Sequence, residues 1–386
     1  MNKSKFRLFA PCYFAFFSNG AMVLLVGAIL PYLIAEAGIG YGIAGGFLSA
    51  FAIGNLLASF VFPAAAGVLG RHKTIVLLSG LIPVTFLTIT FVPPVPVIFL
   101  AFLLAGIGRG SVSIINNAVV NDNAEGKAAP LNLLHMVFAV GAFLAPFFMS
   151  LCIGAGLGWR VVVYTIIGLS GAATLGYAWM TIDYDEVRKK GEGTRDLRFL
   201  KSVDFYVIAL LLFAYYGVEN CVNGWFVTYF QELGVMSEEL ATNMVSVTWV
   251  MVMLGRLVTA ALSAKVEKSR LVLADCIFTA VFFIMMLATR DVLVIVISLA
   301  GLGFFMAGLY PTCISSVGRV LKGNTTGMSI FLALIALGGI ITPQLIGIMA
   351  DMFDLNGAIA TLVINILVMI IMSVINVALA KKQQKQ

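Results

Sequence analysis

Ionisable and amide side chains are scarce in this chain, yet several recur at helical spacing inside otherwise apolar runs. Arg109, Ser113, Asn116 and Asn117 fall at i, i+4, i+7 and i+8, which puts them on one face of a helix. Tyr216, Glu219, Asn220 and Asn223 form a similar face, with Trp225 close behind. Thr242, Ser246, Trp249, Met253 and Arg256 make a third stripe, while Asn19, Asn132, His135, Tyr310 and Gln344 are isolated polar residues in other apolar runs. Amides offer donors and acceptors together, and aromatic faces stack on sugar C–H surfaces. The set therefore suits a polyhydroxylated small molecule held with little charge. No Ser/His/Asp spacing, phosphate-binding glycine loop or metal-ligand cluster accompanies it, so no catalytic residue, cofactor or metal is expected.

The elements that must position these residues are membrane helices. Of 386 residues, 61% are hydrophobic and 11% charged, with a mean hydropathy of +1.04. A soluble domain runs near about 45–50% apolar and about 25% charged. Apolar runs long enough to cross a bilayer cover 8–35, 42–69, 74–92, 95–120, 129–152, 159–182, 203–230, 240–264, 270–289, 291–318, 325–350 and 356–380. None shows the two-residue alternation of a barrel strand, which leaves helices. The expected fold is all-α, with twelve transmembrane helices. Lys3, Lys5 and Arg7 ahead of the first run imitate a secretory signal. That run is too long for one, contains Asn19 and Pro31, and lacks a small-x-small cleavage site, so it reads as a retained first span.

A charge at the bilayer centre costs roughly 2.5–3.5 kcal/mol on insertion scales, so intramembrane polar residues mark sites. Glu219 is the only acid well inside a span; Asp275 lies near the start of the ninth, and Asp122 and Asp351 sit at span ends. Three roles are open to Glu219: carrying a coupled proton, contacting the solute, or pairing with Arg109. Arg109, deep in the fourth span, can be neutralised by Glu219 or by an anionic solute. Arg256, toward the end of the eighth span, reads as a gating or structural residue. His135 either titrates or packs between helices, and each Asn or Ser either meets solute or joins helices together. The five cysteines have no C-x-x-C spacing and imply neither a disulfide framework nor a zinc site.

The polar stretch 183–202 reads as a cytoplasmic linker between a six-helix bundle at 1–182 and a second at 203–386. The halves echo each other at an offset near 200. Gly54 matches Gly255, Ala105-Gly106-Ile107-Gly108 matches Ala300-Gly301-Leu302-Gly303, and Gly141 five residues before Pro146 matches Gly338 five before Pro343. Duplicated halves suggest alternating access about a central site. With the N-terminus inside, 20 of the 24 Lys and Arg residues fall in inner loops and tails, against Arg160 and Arg290 outside. The positive-inside rule then places both termini in the cytoplasm and accounts for the basic balance without nucleic acid.

These features resemble the major facilitator superfamily. Gly67-Val68-Leu69-Gly70-Arg71-His72-Lys73 looks like a shortened form of its inner-loop motif, without the usual acidic residue. A run from Gly106 through Asn116-Asn117 to Leu131-Asn132-Leu133-Leu134-His135, continuing as Phe138 to Pro146, is similar to the fucose–galactose–glucose:proton symporter branch. Gly217, Glu219, Trp225, Tyr229 and Tyr310-Pro311 add to that similarity. The resemblance implies two pseudo-symmetric six-helix bundles and uptake of a neutral monosaccharide with a proton carried by acids in spans 1 and 4. This chain departs there: Val26-Gly27 and Arg109-Gly110-Ser111 supply no carboxylate. The family's proton carriers therefore do not transfer, and Arg109 also admits a sugar acid or other organic anion.

The expected function is secondary transport of a small polar, sugar-like solute across the cell (inner) membrane, with a proton as possible partner and the chain acting as a monomer in the lipid bilayer. The expected solute contacts are Asn19, Arg109, Asn116, Asn117, Asn132, His135, Glu219, Asn220, Asn223, Trp225, Trp249, Tyr310 and Gln344. One alternative is an exporter of drugs or amphipathic metabolites, which the 29 phenylalanines keep open. A sensor or scaffold would need a soluble output domain, and no polar stretch is long enough to hold one.

Overall fold

A computed structural model describes residues 3–124, 129–180, 198–263, 265–317, 321 and 324–384. Among these the chain is helical, with no strand. The helices are α1 (Lys3–Ala37), α2 (Tyr41–Leu69), α3 (Arg71–Thr90), α4 (Val95–Asp122), α5 (Ala129–Gly154), α6 (Trp159–Trp179) and α7 (Val203–Leu233). They continue as α8 (Glu238–Leu262), α9 (Lys268–Ala288), α10 (Val292–Met306), α11 (Leu309–Val317), α12 (Thr325–Met352), α13 (Leu355–Ala360) and α14 (Leu362–Gln384). Among the described residues, twelve spans are long and apolar enough to cross a membrane. The tenth joins α10 to α11 (Val292–Val317), and the twelfth joins α13 to α14 (Leu355–Lys382). Residues 183–197, most of the expected linker 183–202, lie outside the described residues.

Helix ends follow local chemistry. Asp291 Oδ1 accepts from the Val294 amide at 3.0 Å and Asn324 Oδ1 from Gly327 at 2.8 Å, satisfying first-turn donors of α10 and α12. Gly38 (φ 60°) after α1 and Gly234 (φ 68°) after α7 take the left-handed conformation that stops a helix, at equivalent places in the two halves. At one end of α1, Glu36 accepts from Trp159 Nε1 at 2.8 Å and pairs with Arg160, fixing α1 to the start of α6.

Two compact units result. One gathers α1–α6 with the first turns of α8 (Glu238–Ser246); the other gathers α7, the rest of α8 from Val247, and α9–α14. Those first turns attach by Asn243 Nδ2 donating to Ser150 Oγ at 2.7 Å and Ser246 Oγ to the Phe143 carbonyl at 3.2 Å.

Glycines set the crossings within each unit. A Cβ at Gly141 would strike the Phe17 carbonyl of α1, and one at Gly20 the Phe138 carbonyl of α5. Gly54 abuts Leu103 O and Gly106 abuts Phe51 O, joining α2 to α4. In the second unit Gly338 abuts Phe213 O, Gly255 abuts Phe304 O and Gly303 abuts Thr248 O. Of the paired glycines of the sequence, Gly54, Gly106, Gly141, Gly255, Gly303 and Gly338 are thus places where backbones touch, while Gly301 lies against the Phe282 ring. Lipid gives apolar side chains no reason to associate, so helices there are held by such close packing and by interhelical hydrogen bonds.

Candidate solute-binding site

In the second unit the α7 face lies among aromatic residues. Tyr215 OH donates to Glu219 Oε1 at 3.0 Å, one helical turn away. Tyr215 is also within electrostatic reach of Arg256. The rings of Tyr216 and Tyr310 lie 6.4 Å apart, and Tyr310 is within electrostatic reach of Glu219. Asn220 donates back to the Tyr216 carbonyl at 2.8 Å, and a Cβ at Gly339 of α12 would press on both side chains. Glycine at 339 is what lets this polar face lie against α12. Trp249 Nε1 donates to Asn223 Oδ1 at 3.0 Å, joining α8 to α7. Glu219, Asn220, Asn223, Tyr310 and Gln344 are all half-buried, so each keeps part of its surface open in the middle of a span. Trp225 differs: it is fully buried, with Nε1 donating to the Pro343 carbonyl at 3.0 Å, and it fastens α7 to α12.

In the first unit Arg109 is half-buried, its guanidinium carbon 5.8 Å from the centroid of the Phe51 ring. This is a cation–π distance, which steadies the charge without neutralising it. Asn19 Nδ2 donates to the Arg109 carbonyl at 3.4 Å, while its buried Oδ1 has no partner among the described residues. Asn117 donates to the Ser113 carbonyl at 2.8 Å and shares Oδ1 with His135 Nε2 at 3.1 Å. His135 is exposed and meets Phe16 edge-on at 5.5 Å; Asn132 is exposed on the same helix. Asn116 is 0% exposed and committed at both ends, to the Cys12 carbonyl (3.1 Å) and to Tyr177 OH (2.7 Å). It therefore ties α4 to α1 and α6.

Several partners escaped the sequence reading. Tyr215 sits four residues before Glu219 and could have been found by that spacing. Tyr177, which also offers its carbonyl to His72 Nε2 at 2.9 Å, gave no such signal. Nor did Asn365, which reaches Thr342 Oγ1 at 3.3 Å opposite Gly217. Among the described residues no group of three or more His, Cys, Asp or Glu could hold a metal.

Twelve membrane-length spans among the described residues, several carrying half-buried polar faces, define a multi-pass membrane protein. The chain belongs to the Major Facilitator Superfamily, whose sequence profile matches residues 12–341. It is 22% identical over 270 residues to the glucose/mannose transporter GlcP of Bacillus subtilis, a match covering 65% of each chain. The nucleoside transporter NupG superposes with a TM-score of 0.76 at 14% identity, over 99% of this chain and 100% of that one. The D-xylose-proton symporter gives 0.75 at 13%, over 96% of this chain and 97% of that one. A bacterial homologue of the human lysosomal transporter Spinster gives 0.79 at 13%, over 97% and 96%.

Proposed function

We propose that this protein is a secondary transporter that carries a small, neutral, sugar-like solute across the cell membrane by alternating access. One observation carries the reading: α7 sets Glu219, Asn220 and Asn223 in mid-span, half-buried, among Tyr215, Tyr216, Tyr310 and Trp249. Carboxylate and amide oxygens accept from sugar hydroxyls, amide N–H groups donate to them, and the aromatic rings cover the C–H faces. The relatives add support, since glucose, mannose, xylose and nucleosides all present a hydroxylated sugar ring. Glu219 is the central solute ligand in this reading, and Glu219→Gln separates that role from proton carriage. Arg109 and Asn19 on α4 and α1, with Asn117 and His135, supply the contacts of the first unit.

The topology proposed with it places both termini in the cytoplasm, from the excess of basic residues in alternate loops. It takes residues 1–182 and 203–386 as the two rocking bodies, 183–202 as their linker, and one chain as the transporting unit. The experiment is uptake of labelled glucose, mannose and xylose by proteoliposomes, with and without an inward proton gradient. Uptake of at least one sugar that unlabelled sugar competes away is the expected result. Accumulation only under the gradient would make the protein a proton symporter. No uptake of any sugar would overturn the reading in favour of an exporter.

A further inference from the structure

Away from the α7 face, a second acid lies within the membrane helices, with no hydrogen bond to its Oδ2 and no ion pair among the described residues. Asp275 is 5% exposed, seven positions after Lys268, the first residue of α9, or about 10 Å along the axis. Its Oδ2 is closed off without a hydrogen-bond partner, and no ion pair reaches it among the described residues. One turn further on, Thr279 is 0% exposed and its hydroxyl is likewise closed off and without a partner.

The helices packed against α9 are α10, α11 and α14. Helix α10 carries no titratable side chain. From α11 comes the buried Cys313, within electrostatic reach of Asp275; Cys276, on α9 itself, contacts Ser373 of α14. The cations of these elements lie at helix ends. Lys268 binds Ser315, Arg270 binds Glu267, and Lys381 and Lys382 are exposed at the end of α14. A bare carboxylate enclosed this way, without donor or cation, is far costlier than a neutral carboxyl. A hard metal ion would need a cage of oxygens, and the side chains within electrostatic reach of Asp275 are the thiols of Cys276 and Cys313.

We propose that Asp275 is a proton-binding site of the transport cycle, separate from the Glu219 face. This packing of α9 holds the carboxyl protonated, and the proton is released when the helix repacks. Helix α11 links the two sites: it lies against both α7 and α9, presenting Tyr310 to Tyr216 and Cys313 toward Asp275. Proton uptake at Asp275 therefore bears on the element that carries a solute ligand. The role in transport rests on the reading above; the protonation itself does not.

Infrared difference spectra of the full-length protein in lipid nanodiscs, taken between acidic and alkaline pH, test protonation without any solute. The expected result is a protonated-carboxyl stretch at neutral pH that Asp275→Asn abolishes and Glu219→Gln leaves in place. A band that survives Asp275→Asn, or no band in the unaltered protein, would overturn the assignment. Should that variant fail to fold, carbodiimide labelling of the unaltered protein decides. This reagent attacks protonated carboxyls in apolar surroundings, and an adduct on Asp275 is expected; an unmodified Asp275 overturns the proposal.

In proteoliposomes, a gradient of about one pH unit supports roughly tenfold accumulation of a neutral solute moved with one proton. Asp275→Asn is expected to keep glucose counterflow and to lose that accumulation. Undiminished accumulation would overturn the role in coupling. If the unaltered protein moves no glucose, the sugar reading fails while the infrared result still decides Asp275.

Discussion

The Glu219–Tyr215 pair carries the most specific prediction. A hydrogen bond to a charged group is worth about 1.5–3 kcal/mol, and a neutral one about 0.5–1.5 kcal/mol. If Glu219 accepts from solute hydroxyls, Glu219→Gln should raise the half-saturating sugar concentration roughly tenfold or more, while Tyr215→Phe costs only several-fold. Competition binding of labelled glucose by the purified protein measures both. An unchanged affinity in Glu219→Gln would remove it from the binding site. Asn116 should behave differently. Because its amide holds Cys12 and Tyr177 and meets no solvent, Asn116→Ala should lower stability by about 1–3 kcal/mol, read as a fall in melting temperature, with sugar affinity nearly intact. The sequence shows that both residues are polar intruders in apolar runs but not what occupies them. The α7 face was legible because its members are near neighbours in the chain. Asn116 was not, because its partners lie 104 and 61 positions away.

At the scale of the helix, composition foretold the spans closely, since a twenty-residue apolar run has few alternatives in lipid. Their internal breaks were hidden. The tenth span reads as one apolar run, yet α10 stops at Met306 and α11 resumes at Leu309, beside the tyrosine that faces α7. Glycine positions were visible in the sequence, but only packing shows which are contact points. That difference is testable. Gly141→Ala and Gly338→Ala place a methyl group on the backbone carbonyls of Phe17 and Phe213, and backbone cannot yield as a flexible side chain can. Each should cost about 1–3 kcal/mol or more and reduce folded yield. Gly168→Ala, where nothing lies within 4 Å, should change stability by less than about 0.5 kcal/mol. Melting curves in detergent compare the three directly, and equal losses at all of them would mean the glycine contacts are not what joins the helices.

For the whole molecule, the internal repeat and the charge distribution bear on different questions. The repeat concerns architecture: Gly54 and Gly255, like Gly141 and Gly338, each meet a backbone carbonyl of a neighbouring helix, and the helix stops at Gly38 and Gly234 fall in register. The charges concern orientation, because basic residues resist translocation and are retained on the cytoplasmic side. Of the basic residues on the two sides, Arg160, expected outside, is paired with Glu36, and Arg270, expected inside, is paired with Glu267. All five native cysteines are buried, which leaves a low background for thiol labelling. Leu157→Cys, in the exposed turn between α5 and α6, should then react with a membrane-impermeant maleimide on intact cells. Lys382→Cys, exposed near the end of α14, should react only after permeabilisation. The reverse pattern would invert the molecule, reassign Arg160 and Arg290 to the cytoplasm, and turn the proposed direction of proton-driven uptake around.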